Sequence, residues 1–275
     1  MILIDGPNFA YRAFYSGGDL SSSDGQRTGL LHVAIAMLAA LDGLFEPQQV
    51  VFLWDQGPSW RKAVFPEYKA TRHDTPDRKS VYEQIAIFKQ LLSAIGICQV
   101  AWPRYEADDL AGVVTDSLSC HAVMISSDKD LFQLLRPGIV QVRGWKGKRK
   151  DVWTAQRVQE EYGVTVDMWP TYLALVGDSS DNIPNVQRGF GPKKALKLIN
   201  SAELLPPEMN RVFLRNLELT TIRRELPNKQ RLELHAPKQT KQGWVDMERL
   251  LLQYELLHVF ERRRKLWVVG GWGRD

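Results

Sequence analysis

The sequence predicts an α/β fold, a parallel sheet covered by helices, followed by a smaller helical domain. Three observations carry that expectation: short apolar runs that read as buried strands, helical periodicities between them, and the loss of strand signal after about residue 150. The strands are residues 2–4, Val50–Trp54 and Ala122–Ile125, each a continuous run of the kind a sheet buried on both faces requires. Between them, Gly29–Phe45, 80–95 and 107–118 place apolar residues at helical spacing, and strands that alternate with helices pair in parallel. Later helical patterns cover 154–162, 167–176 and 192–199. The expected division is an α/β domain over 1–162 and a helical domain with a C-terminal extension over 163–275. From Pro206 on, Pro207, Pro227 and Pro237 interrupt helix-like pieces, and no element is assigned there.

A chain of 275 residues that is 44% apolar can bury a substantial core. Its longest apolar stretch, 30–41, contains His32 and falls short of the roughly 20 residues that span a bilayer, so neither a transmembrane helix nor a membrane partner is expected. The opening MILIDG has neither a basic region nor a cleavage site, which makes the cytoplasm the expected location. Cys98 and Cys120 show no CxxC spacing and read as packing residues. The net charge of +4 and pI near 9.0 lean toward a polyanionic partner. From Arg136 to Lys150 every charged residue is basic, a run that a solvated loop explains about as well as DNA does.

Acidic residues are more informative. Asp5, Asp55 and Asp128 each follow one of the three strands. In an open parallel sheet the carboxyl ends of the strands line one crevice, so these three should converge. Glu106, Asp108 and Asp109 open the helix near Ala107, and Asp130 follows Asp128, which brings seven carboxylates toward one place. An aspartate between strand and helix is also an ordinary N-cap, and one alone would be read that way. Together they would raise one another's pKa and oppose folding unless a divalent cation joined them, and oxygen-only ligands favour magnesium or manganese. A basic protein that gathers acids in this way suits phosphodiester hydrolysis.

At these residues the sequence resembles the 5′-nuclease family, the group holding the 5′ domains of bacterial DNA polymerase I, phage 5′ exonucleases and flap endonucleases. The resemblance rests on IDGPNFAYRAFY (4–15), FPEYKATR (65–72), YEADDLAG (105–112), SSDKDLFQLL (126–135) and LALVGDSSDNIPNVQRGFGPKKA (173–195), with weaker similarity at LELTTIRRELP (217–227). It implies a resolvase-like, PIN-like nuclease domain and a helical domain with a helix-three-turn-helix at about 178–200 that grips duplex DNA. The seven acids match the family's metal ligands, and Asp178 and Asp181 add the distal end of the cluster. Two or more Mg²⁺ ions are implied, with Mn²⁺ able to substitute. Arg12, Lys69 and Arg72 match basic residues that meet the scissile phosphate or guide the 5′ strand. Tyr68 matches a position where stacking on a base and simple packing are equal readings.

Gly189 and Gly191 supply the turn before a helix whose N-terminal amides can face a phosphate, with Lys193, Lys194 and Lys197 adding charge. The family often holds K⁺ in this turn, but Asn185 and Phe190 stand where it usually has glycine and a smaller aliphatic residue, so that ion does not carry over directly. Residues 57–82 correspond to a short gateway for the strand. The implied activity is 5′-3′ exonuclease and flap endonuclease cleavage in replication or repair, by a monomer acting on DNA with a 5′ end or flap, RNA-primed DNA included. The alternatives are a PIN-type RNA nuclease, which would not need the GDSSDNIP and GFGPKKA segments, and a DNA-binding relative without catalysis, against which every matched acid is retained.

Overall fold

The computed structural model describes residues 1–73, 75–201, 204–238 and 240–261. A six-stranded sheet runs in the order β3-β2-β1-β4-β5-β6, formed by β1 (Ile2–Asp5), β2 (Val50–Trp54), β3 (Cys98–Ala101), β4 (Ala122–Ile125), β5 (Ile139–Lys146) and β6 (Arg149–Trp153). The first five strands are parallel, and β6 returns antiparallel along β5. From β1 the chain builds outward through β2 to β3, then crosses back to place β4 on the other side of β1. The strand order therefore reverses between β1 and β4, the position where open α/β sheets form their binding crevice.

Alternation along each strand divides the core. Ile2, Ile4, Phe52 and Trp54 face α1 (Gly6–Gly17), α2 (Gly29–Phe45) and α4 (Pro76–Ala94). Leu3, Val51, Leu53 and Met124 face α5 (Ala107–Ser117), a 3-10 turn at Asp130–Leu134, α6 (Ala155–Tyr162) and α7 (Trp169–Val176). The second core continues without a break into residues beyond 163, through Trp169, Val186, Ala195 and Ile222. There α8 (Pro192–Ser201) and α9 (Pro207–Thr220) pack near α7. α1 and α2 meet so closely that a Cβ on Gly17 would lie 2.4 Å from the Gly29 carbonyl.

The structure adds to the sequence reading at both ends. The basic run from Arg136 to Lys150 is largely the β5–β6 hairpin and not a loop. The C-terminal extension returns to the first face: Met247 and Leu251 of α10 (Lys241–Gln253) and Val259 and Phe260 of α11 (Leu257–Glu261) are buried against α2 and α4. A short α3 (Arg61–Val64) and turns fill most of the gateway segment before α4. Among the described residues no helix is long and apolar enough to cross a membrane.

Candidate active site and metal centre

Asp5 ends β1 and caps α1, accepting from the Asn8 N–H at 3.0 Å and from the Ser126 hydroxyl at 2.8 Å. Ser126 lies just past β4, so its hydroxyl links the two strand ends at the switch point. Asp128 follows, and one of its oxygens accepts the Asp130 N–H at 2.9 Å. Asp55, just past β2, accepts the Ala107 N–H at 2.9 Å and so fixes the first turn of α5, which carries Asp108. Asp5, Asp55, Glu106, Asp108 and Asp128 line one cleft of about 650 Å³ together with Lys69, Arg72 and Tyr11.

A second group straddles the two halves of the chain. Oxygens of Asp130, Asp178 and Asp181 all lie within 4.8 Å of one another. Asp178 and Asp181 sit on a turn closed by two backbone hydrogen bonds between Asp178 and Ile183, at 2.8 and 2.7 Å. Gly177 makes the turn after α7: it has φ 73°, and a Cβ there would meet the Asn185 nitrogen at 2.5 Å.

Lys69 and Arg72 join the two groups. Lys69 Nζ lies 2.5 Å from Glu106 and 3.6 Å from Asp181, and Arg72 Nη2 lies 2.6 Å from Asp181. The Lys69 backbone adopts φ 55°, the left-handed region, and its N–H donates to the Asp181 carbonyl at 2.9 Å, while the Asn182 side-chain amide donates to the Glu67 carbonyl at 2.8 Å.

Asp109 and Arg12 depart from expectation, and of the two readings of Tyr68 the structure favours packing. Asp109 is fully buried, and both its oxygens are taken: Arg61 holds it bidentately at 2.8 and 3.0 Å, with the Trp60 indole N–H at 3.0 Å and the Arg223 N–H at 3.1 Å. Successive helical side chains point about 100° apart, so only Asp108 of the pair faces the cleft. Tyr68 is 2% exposed and cannot stack on a base; its hydroxyl lies between Glu106 at 2.9 Å and Asp181 at 2.8 Å. Arg12 lies outside the cleft lining, donating to the Arg143 carbonyl at 3.0 Å with its guanidinium over Trp145, so it fastens α1 to β5.

Lys193, Lys194 and Lys197 are exposed on α8, and Gly189 adopts φ 75° in the turn before it, with open space around its α-carbon. Sequence reasoning missed Arg61, Asn8, Ser126, Gln133 and Asn216. Asn8, Ser126 and Gln133 carried a signal, standing within a turn or two of acids already singled out; Arg61 and Asn216 did not.

Electrostatics bear on the metal. Burial pushes Asp5 up to about 7, against the hydrogen bonds from Asn8 and Ser126. Burial, and then the charges of neighbouring aspartates, push Asp108 and Asp130 well above the usual carboxylate range. Burial acts on Glu106 in the same direction, but Lys69 and Arg61 outweigh it and hold its carboxyl below that range. Asp5, Asp108 and Asp130 thus resist ionising where they stand, and the two groups together form an all-oxygen donor set that fits a hard divalent cation.

A mostly parallel sheet whose strand ends present such acids at the switch point is the arrangement of a resolvase-like nuclease domain. The chain belongs to the 5′-3′ exonuclease family: residues 1–163 match the family of 5′-3′ exonuclease N-terminal resolvase-like domains. It is 33% identical over 203 residues to a 5′-3′ exonuclease of Aquifex aeolicus, covering 72% of this chain and 68% of that protein. It is 34% identical over 206 residues to DNA polymerase I of Caldicellulosiruptor bescii, covering 72% of this chain but only 24% of the polymerase. Among solved structures, the bacteriophage T5 5′-exonuclease bound to zinc ions superposes with a TM-score of 0.65 at 20% identity, covering 97% of this chain and 99% of that one. Flap endonuclease-1 of Methanococcus jannaschii gives 0.61 at 16% identity, covering 97% and 91%.

Proposed function

We propose that this 5′ nuclease hydrolyses DNA phosphodiester bonds at or near a 5′ end, flaps included, with magnesium held by the strand-end acids. The observation that carries the reading is the convergence of Asp5, Asp55, Glu106, Asp108 and Asp128 in one cleft, beside Asp130, Asp178 and Asp181. Bound divalent ions supply activation of water and neutralisation of charge on the leaving oxygen. The first group would hold one ion and the second group another.

The remaining work falls to the chain's own side chains. Lys69 and Arg72 line the cleft, Lys69 within reach of both acid groups and Arg72 against Asp181, and are placed to turn toward a phosphate whose charge grows in the transition state. Tyr68 and Arg61 stay buried behind Glu106 and fix its carboxylate. Lys193, Lys194 and Lys197, with the amides that open α8, are placed to meet duplex phosphates away from the cut. That second contact favours DNA over an RNA substrate of the PIN type, whose cleavage would not call for it.

The test is cleavage of an end-labelled 5′ flap duplex with magnesium and with chelator, beside single-stranded RNA of the same sequence. Magnesium-dependent release of the flap with little RNA cleavage is expected. Cleavage in chelator, or cleavage of RNA alone, overturns the reading.

A further inference from the structure

Gln133 lies in the 3-10 turn that carries Asp130, and it is buried. Its side-chain nitrogen donates to the carbonyl of Asp130 at 2.9 Å and to that of Thr220 at 3.0 Å, and its oxygen accepts the Ile222 N–H at 3.0 Å. Its backbone carbonyl accepts from Arg224 Nη2 at 2.7 Å. The amide therefore spends both donors and its acceptor on tying the backbone of an acid to the residues at and just after the end of α9.

The opposite side of the same scaffold is built alike. Asn216 of α9 is fully buried, and its amide nitrogen donates to the Ala174 carbonyl at 2.9 Å and the Pro184 carbonyl at 2.7 Å. Those two carbonyls flank the turn that carries Asp178 and Asp181. The last turn of α9 and the strap that follows it are held down further: Arg61 donates to the Leu219 carbonyl at 2.7 Å, the Tyr105 hydroxyl donates to the Glu225 carbonyl at 3.0 Å, and a Cβ on Gly112 would lie 2.3 Å from the Arg223 carbonyl. The end of α9 is thus the common support of three acids that come from distant parts of the chain.

We propose that Gln133 and Asn216 are positioning residues that hold Asp130 in register with Asp178 and Asp181, so that the second cation site exists only while the end of α9 is clasped. This rests on the reading of that acid group as a metal site. A buried amide suits the task because it has directional partners on both sides and no charge to compete with the ion. Replacing it with an apolar side chain of similar volume takes these partners from the buried Thr220 carbonyl and Ile222 N–H and cuts the link from the Asp130 carbonyl to α9, so the turn carrying Asp130 is no longer tied to that end.

Electron paramagnetic resonance of Mn²⁺ titrated into the full chain counts bound ions without using activity. Wild type, Gln133→Met, Asp130→Asn and the double variant are compared. Gln133→Met is expected to weaken one Mn²⁺ by about tenfold and leave the other unchanged, the size typical of losing a residue that orients a ligand. Added to Asp130→Asn it should weaken that ion little further, because both changes act on the same ligand. Cleavage by Gln133→Met should need more Mn²⁺ yet recover at saturation, which a general loss of packing would not allow. Two ions bound as in wild type, or full additivity with Asp130→Asn, overturns the proposal. Should Gln133→Met fail to fold by circular dichroism, Arg224→Ala decides: a two- to threefold weakening of the same ion supports the clasp, and unchanged binding refutes it. A wild-type chain that binds one ion only would instead refute the reading of the acid group itself.

Discussion

The two acid groups are neighbours built on different principles. Asp5, Asp55, Glu106, Asp108 and Asp128 come from strand ends and one helix start within a single sheet, and backbone or hydroxyl donors fix Asp5 and Asp55 directly. Asp130, Asp178 and Asp181 meet only because two stretches of chain, each with its own turn, are pressed together. The first group is as rigid as the sheet. The second is as well placed as the packing between the halves, which makes it the part of the centre open to adjustment.

The sharpest way to break this contrast is to remove an acid of the rigid group. Asp128→Asn keeps shape and removes charge, and should lower magnesium-dependent single-turnover cleavage by at least about a thousandfold, the equivalent of roughly 4 kcal/mol of transition-state stabilisation. Full cleavage by this variant would mean that the sheet acids hold no reacting ion. Lys69→Ala comes next, because Lys69 touches both groups. Its single-turnover rate at saturating enzyme should fall about a hundredfold, and a rate within about twofold of wild type would reduce Lys69 to a structural counter-ion.

Asp178→Asn tests the adjustable group. It should raise the magnesium needed for half-maximal cleavage by about tenfold while leaving the saturated rate near wild type. A loss that no magnesium recovers would show both groups to be equally committed to the chemistry.

The smallest effect is one of pH. Asp5 is raised in the folded chain to about 7 from an ordinary value of 3.8. The stability linked to its protonation is therefore complete below the unfolded value and is lost as pH rises through 7. Magnesium held at Asp5 would relieve that loss, so the gain in Tm on adding magnesium should be larger at pH 8 than at pH 6. Equal gains would show that the Asp5 carboxyl does not meet the ion.

How much of this was legible in the sequence follows from what each residue does. β1, β2 and β4 announced themselves as apolar runs because both sheet faces are covered. β3 did not, because Gln99 interrupts it in order to hold the Trp54 indole N–H, at 3.1 Å. β5 and β6 were hidden by their basic side chains, and α1 by the Gly6-Pro7 pair, which resembles a turn yet fits a first helical turn capped by Asp5.

In the site, strand-end acids could be read because topology fixes where strands end. Asp109 could not be told from Asp108 without the phase of the helix. The two readings of Tyr68 could not be separated, and Arg12 was placed too near the cut, for a related reason, since their surroundings are tertiary. Arg61, Gln133 and Asn216 were given no role because nothing local reveals that a lone polar side chain will be buried among partners more than forty residues away.

The return of α10 and α11 to the first face has a consequence for how the chain is made. α2 and α4 are finished by residue 94, yet the apolar side that Met247, Leu251 and Phe260 cover has no partner until residues 241–261 emerge. At roughly 5–20 residues per second of synthesis, that face waits about ten to thirty seconds. For that interval the helical layer over one face of the sheet has an open outer flank, and α10 and α11, made long after it, act as its closing seam.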